Sequence, residues 1–197
     1  MIVVKLGGSL YNTPELPLWL TALADYSTQQ SIVIVPGGGP FADHVRSAQA
    51  LHHFNDDIAH HMALIAMKQF GLVLASFVPK CQLINGLETP STPFSIWLPN
   101  DELLLEPDLK KSWDVSSDSI ALWLANELDA EQLLLIKRPL IQTSSIAALT
   151  SSSVIDAGFA QLFAEKTITT KIINYQAYSD LETSLSKSTE LVSLYLP

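Results

Sequence analysis

Two glycine turns carry the most distinctive chemistry in this sequence. Gly7-Gly8-Ser9 ends the apolar run Ile2–Leu6, and Gly37-Gly38-Gly39 ends the run Ile32–Val35, with Pro36 between. Glycine lets a backbone come close to an anion, and successive N–H groups on such a turn form an anion-binding nest. The second turn also opens into a helical pattern, whose N-terminus favours negative charge. In an open parallel sheet ligands sit beyond the carboxyl ends of the strands, so both turns are expected on one edge. Two such turns side by side suit the two phosphate groups of a transfer reaction. Lys5, near the end of the first run, adds a positive charge. Each turn alone reads equally well as a tight turn without ligand; the pairing with Lys5 favours the ligand. Neither is a common nucleotide fingerprint, because no Gly-Lys-Ser/Thr loop and no G-x-G-x-x-G spacing occurs.

Other residue types offer less. All five histidines, His44, His52, His53, His60 and His61, fall between positions 44 and 61. A zinc site needs ligands that converge. No Cys lies near, and adjacent histidines on a helix point in different directions. His60 or His61 is a candidate for lining an acceptor pocket. Trp97, Trp113 and Trp123 read as core or interface, with Trp113 the one placed to touch a ligand.

The elements that position these residues follow from the apolar pattern. Short runs at 2–6, 32–35 and 133–136 read as strands buried on both faces, and weaker strands are expected at 94–98, 170–174 and 190–196. Helices are expected over 14–26, 41–52, 57–70 (capped by Asp56 or Asp57), from Ser116-Ser117-Asp118 to Leu128, over 156–166 and over 177–185. The stretch 99–113 reads mostly as loop, and the Ser/Thr-rich segment 143–153 as a surface loop. Buried strands alternating with helices predict an α/β fold, a mostly parallel sheet with helices on both sides.

Composition narrows the function classes. The 197 residues are 48% hydrophobic and 16% charged, far too apolar for a disordered chain. Lys and Arg number 11 against 20 Asp and Glu, and only Arg46 and Arg138 are arginines, so no nucleic-acid partner is expected. No uninterrupted apolar run approaches the roughly 20 residues of a spanning helix, so no membrane partner is expected either. The single Cys81 and the absence of a leader pattern point to a reducing, cytoplasmic setting.

Three segments add a resemblance: Val4-Lys5-Leu6-Gly7-Gly8-Ser9, Val35-Pro36-Gly37-Gly38-Gly39 and Ser117-Asp118-Ser119-Ile120-Ala121. In this order, and over about residues 1–137, they resemble the amino acid kinase family. Pro36 to Asp43, Ala66-Met67 and Trp113 to Ser119 are similar to a short branch of that family acting on a furanylmethyl phosphate in methanofuran biosynthesis. The resemblance implies a three-layer αβα sandwich in a single domain, with an acceptor-binding part over about 1–112 and a shortened nucleotide-binding part over about 113–197. It implies ATP with Mg²⁺ carried by the nucleotide, an anionic small-molecule acceptor and a homodimer or higher homo-oligomer. Lys5 matches the lysine that neutralises the transferring phosphoryl group, and Asp118 the aspartate that organises the active-site lysines. Gly7, Gly8 and Ser9 match the first phosphate turn, and Gly37, Gly38 and Gly39 the second. Where many members carry a Thr-Asp-Val-Asp-Gly segment, this chain has Lys137-Arg138-Pro139-Leu140. Lys137, and after it Lys171, are candidates for the second lysine.

Phosphoryl transfer depends mainly on positioning and charge neutralisation, and a lysine on a strand end is a held point charge. An ionised acceptor has no proton to be removed, which favours a phosphate or carboxylate over an alcohol. A phosphorylated furan is the first expectation. The alternatives are a carboxylate kinase acting on an amino acid or derivative, and a catalytically silent nucleotide-binding relative.

Overall fold

The computed structural model describes residues 1–139, 143–165, 168–179, 181–183 and 189–190. In chain order these hold β1 (Ile2–Leu6), α1 (Glu15–Tyr26), β2 (Ile32–Pro36), α2 (Gly39–His52), α3 (Asp56–Phe77), β3 (Gln82–Asn85), β4 (Phe94–Leu98), α4 (Ser117–Glu127), β5 (Gln132–Lys137), α5 (Ile146–Ser151), α6 (Ala157–Glu165), β6 (Thr169–Asn174) and β7 (Thr189–Glu190). The sheet order is β3-β4-β2-β1-β5-β6-β7. Every pairing is parallel except the edge pair β6–β7.

Strand periodicity divides the apolar residues between two layers. Val3, Val33, Val35, Leu133 and Leu135 face α4, α5 and α6. Val4, Leu6, Ile34, Leu134 and Ile136 face α1, whose Leu16, Trp19, Leu20 and Leu23 recur at helical spacing. Helix α3 serves both sides: Leu64 and Met67 join the first layer, Phe70 and Leu74 the second. Trp97 and Trp123 are core, as the sequence reading expects.

Parallel register sets the functional edge. Lys5 pairs with Leu135, so Lys137, two residues on, shares the face of Lys5. Lys171 pairs with Leu134 and therefore lies on the opposite face, which removes it as a candidate second lysine.

Several expectations change. Helix α3 runs to Phe77 rather than to residue 70, and Asn55, not an aspartate, caps it by accepting from the Ile58 N–H at 3.0 Å. Its 22 residues are long and apolar enough, by length and composition alone, to cross a membrane, although no single apolar run signalled this. Here its buried residues pack against the sheet. Strand β3 was not foreseen. Helix α5 forms inside the expected Ser/Thr loop because Ile146 and Leu149 bury one apolar face and Ser145 caps the first turn. Residues 177–178 form a turn at the start of the helix expected over 177–185. Residues 181–183 are helical, as expected within 177–185; residues 180 and 184–185 of that helix and most of the expected strand 190–196 lie outside the described residues.

Candidate active site

Three charged side chains meet behind the glycine turns, at the carboxyl edge of the central strands. Lys5 Nζ lies 2.8 Å from Asp118 Oδ1, as an ion pair without hydrogen-bond alignment. Lys137 Nζ donates to Asp118 Oδ2 at 2.5 Å. All three residues are buried. The lysines come from adjacent strands and the carboxylate from the first turn of α4, which packs on the same face.

One carboxylate between two ammonium groups leaves one excess positive charge. Burial works to raise the Asp118 carboxyl, but Lys137 and Lys5 outweigh it and hold the group at about 2, below its ordinary 3.8. Burial pushes the Lys137 ammonium down to about 8 from 10.5; Asp118 opposes that shift and Lys5 adds to it. A buried excess positive charge beside two anion nests suits a phosphate chain.

The glycine turns touch one another. The Gly37 N–H donates to Leu6 O at 2.8 Å, continuing the β1–β2 ladder into the turns. A Cβ on Gly8 would stand 2.3 Å from Gly39 N, and one on Gly37 would stand 2.4 Å from Gly8 N. Gly39 has a φ of +54°, in the left-handed region that side chains disfavour. A Cβ on Gly7 would lie 3.5 Å from Lys5 Nζ, so the first turn wraps the ammonium.

A cavity of about 310 Å³ opens beside these turns. Gly8, Ser9, Gly38 and Gly39 line one side, Ala59, His60, Leu64 and Met67 of α3 another, and Trp113, Val115, Ser116 and Ser117 a third. Its mouth carries Arg46, whose guanidinium lies 4.2 Å from the Trp113 ring centroid. The Trp113 indole N–H donates to Gln49 Oε1 at 2.7 Å, and Gln49 Nε2 donates to Asp56 Oδ1 at 2.8 Å. His60 is buried in the wall, and its Nε2 has no protein hydrogen-bond partner. Burial, with a smaller push from Lys111, lowers the His60 imidazole below its usual value, so it is neutral at pH 7.

These features can be set beside known proteins. The family model described as "Amino acid kinase family" matches residues 1–85. A [5-(aminomethyl)furan-3-yl]methyl phosphate kinase from Methanocaldococcus jannaschii is 32% identical over 142 residues, covering 68% of this chain and 64% of the relative. The chain thus matches the amino acid kinase family over its first 85 residues and spans less than two thirds of the length of this relative. Solved structures show the same fold across the whole chain. A uridylate kinase from Archaeoglobus fulgidus has a TM-score of 0.68 at 16% identity, covering 98% of both chains. A UMP kinase from Ureaplasma parvum has a TM-score of 0.65 at 14% identity, covering 98% of this chain and 97% of that one.

In this chain Lys5, Asp118 and Lys137 converge, and Ser9 joins both glycine turns at the cavity or directly behind it. His60 lines the cavity. His61 does not: it faces Asp101, with Nε2 3.1 Å from Oδ1, because neighbours on a helix point about 100° apart. Trp113 stands at the cavity, as its place beside Asp114 suggested. Sequence reasoning missed Arg46, although it is one of two arginines and follows the second glycine turn on α2. Among the described residues no group of three or more His, Cys, Asp or Glu stands ready to hold a metal.

Proposed function

We propose that the protein is an ATP-dependent kinase that transfers the γ-phosphoryl group to the phosphate of a small phosphorylated furan, a methanofuran-type cofactor precursor. The observation that carries this reading is the Lys5–Asp118–Lys137 trio set directly behind two interlocked glycine turns. The named acceptor of the 32%-identical relative supplies the substrate class.

The residues divide the work. Lys5, the wrapped ammonium, neutralises the moving phosphoryl group. Lys137 contacts the nucleotide phosphates, Asp118 spaces the two ammoniums, and Gly7, Gly8 and Ser9 receive phosphate on backbone N–H groups. Gly37, Gly38 and Gly39 receive the acceptor's phosphate, with Arg46 at the mouth as a further cation and His60 against the ring. The bond from the γ-phosphorus to the β–γ bridging oxygen breaks, and a bond to an acceptor phosphate oxygen forms. That oxygen is already ionised, so no general base is needed. Mg²⁺ arrives on the nucleotide and offsets phosphate charge there.

The acceptor side is assigned to about residues 1–112 and the nucleotide side to about 113–197, within one domain. A cytoplasmic setting fits ATP use and the free Cys81. A homodimer is part of the same reading: Ile58, Ile65 and Leu72 expose an apolar stripe at seven-residue spacing on α3, and sedimentation of purified protein as a monomer would remove it.

Purified protein with Mg-ATP and [5-(aminomethyl)furan-3-yl]methyl phosphate is expected to yield ADP and a diphosphate product, read by phosphorus NMR. No diphosphate at high enzyme concentration removes this acceptor.

A further inference from the structure

Asp156 lies between α5 and α6, and its carboxylate accepts five hydrogen bonds from two helix starts. Oδ2 takes the Ser116 N–H at 2.9 Å, the Ser116 hydroxyl at 2.6 Å and the Ser119 N–H at 3.1 Å. Oδ1 takes the Phe159 N–H at 2.9 Å and the Ser119 hydroxyl. Ser116, the residue in capping position for α4, makes no capping bond with its own side chain. The cap of α4 is thus supplied from a distant segment, and the same carboxylate caps α6. The two helix starts are pressed together as well. The Gly158 N–H donates to Asp114 O at 2.7 Å, and a Cβ on Gly158 would stand 2.7 Å from Val115 Cγ2 and 3.1 Å from Ser119 Oγ.

Asp118 sits within this clamped turn, between Ser116 and Ser119. Its carboxylate must reach Lys5 and Lys137 at once, at 2.8 and 2.5 Å, which tolerates little rotation of the turn that carries it. Ser116 makes no capping bond of its own, so without the Asp156 carboxylate the first N–H groups of α4 would be left unpaired and that turn free to fray. We propose that Asp156 is a positioning residue: it fixes the first turn of α4 and thereby sets where Asp118 holds the two lysines. The inference rests on the kinase reading for its effect on rate, but not for its effect on the trio. Asp118, Lys5 and Asp156 are the charged groups that act on Lys137, and Asp156 favours its protonated form.

Asp156→Asn keeps the size of the side chain but leaves one acceptor oxygen where two are used. A Ser116→Ala/Ser119→Ala double variant removes both hydroxyl donors and keeps the Asp156 charge. Rates with Mg-ATP and the furan phosphate are counted per ATP-binding site, with sites measured by calorimetry. Asp156→Asn is expected to lower kcat roughly 10- to 100-fold, the scale of a misplacement near 1 Å, with acceptor KM little changed. An unchanged kcat per site, even with a lower Tm, overturns the proposal and leaves Asp156 a cap for the fold. Should Asp156→Asn not fold, the serine double variant is read by the same criterion. If wild-type protein transfers nothing to the furan phosphate, the acceptor assignment fails, and side-chain NMR titration of Lys137 without nucleotide still tests the clamp. The Lys137 midpoint is expected to fall in both variants. Asp156→Asn lowers the midpoint through the lost charge alone, so the serine double variant decides: an unchanged midpoint there overturns the inference, since Asp118 would then have kept its place.

Discussion

Gly8 and Gly39 pack backbone against backbone, with room for hydrogen only: a Cβ on Gly8 would lie 2.3 Å from Gly39 N and 2.6 Å from its Cα. No side-chain rotation relieves that clash, so one turn must move. Gly8→Ala is expected to destabilise by about 1–3 kcal/mol, the usual range for overpacking, and to abolish turnover because both nests shift. Gly7→Ala makes the contrast. Its Cβ would meet Ile136 O at 3.4 Å and Lys5 Nζ at 3.5 Å, ordinary contacts, so the fold is expected to survive within about 1 kcal/mol. Thermal unfolding of the two variants checks the order; equal Tm values contradict it.

The buried trio predicts opposite stability effects from removing opposite charges. Lys5→Met leaves Asp118 and Lys137 as a neutral pair, so folding is expected to persist while kcat falls about a hundredfold or more, reflecting a lost transition-state charge of some 3 kcal/mol or more. Asp118→Asn leaves two buried ammoniums facing each other with no carboxylate. That is expected to cost about 3 kcal/mol or more of stability in addition to activity. Urea unfolding measured beside initial rates distinguishes them; a Lys5→Met variant less stable than Asp118→Asn contradicts the charge count.

Acid should expose the same pairing. The Asp118 pKa is depressed in the folded state to about 2 from 3.8, so the stabilisation is complete above pH 3.8 and disappears as pH falls to about 2. The difference is worth about 2 kcal/mol. Unfolding free energies measured between pH 4 and 2, on wild-type protein and on Asp118→Asn, should converge toward acid pH by roughly that amount. Parallel curves would show that the carboxylate is not paired as described.

Much of this was legible before coordinates, for physical reasons that differ by residue. Strands β1, β2 and β5 are buried on both faces, so their apolar runs stand out without context. The glycine turns were visible because close backbone approach admits no other residue. That Lys137 would meet Asp118 was harder to read, because it depends on the β1–β5 register, which sequence spacing does not encode. The sequence reading carried helix α3 only to Phe70; the helix continues through Gly71, where contact requires glycine, since a Cβ there would stand 2.5 Å from Leu98 Cδ2. Asp156 was invisible as a site residue because its partners, Ser116 and Ser119, are distant in sequence and at the start of its own helix it reads as an ordinary cap.

Alkaline pH should act through Lys137 first. Burial and the neighbouring Lys5 bring its ammonium down to about 8, so in free enzyme it begins to lose its proton there. A neutral amine at that position no longer attracts phosphate. The kcat/KM for ATP is therefore expected to fall above about pH 8 with the loss of one proton, and Lys137→Arg should remove that limb because a guanidinium does not titrate there. A flat profile to pH 10 in wild-type protein would assign the nucleotide contact elsewhere.

His60 offers a test of which wall reads the acceptor. Its ring is buried in the cavity wall, its Nε2 is unpartnered, and burial keeps it neutral, so it presents a hydrogen-bonding edge rather than a charge. His61, turned toward Asp101, has no such access. Replacing His60 by Leu should remove one hydrogen bond to the acceptor, a loss of about 1 kcal/mol or somewhat more, and raise acceptor KM roughly 5- to 10-fold. The KM for ATP should stay as it was, because the buried lysines are untouched. His61→Leu should change neither constant. Michaelis constants for both substrates in the two variants decide the matter: a shift in ATP affinity on changing His60, or an acceptor effect on changing His61, would place the acceptor against a different wall.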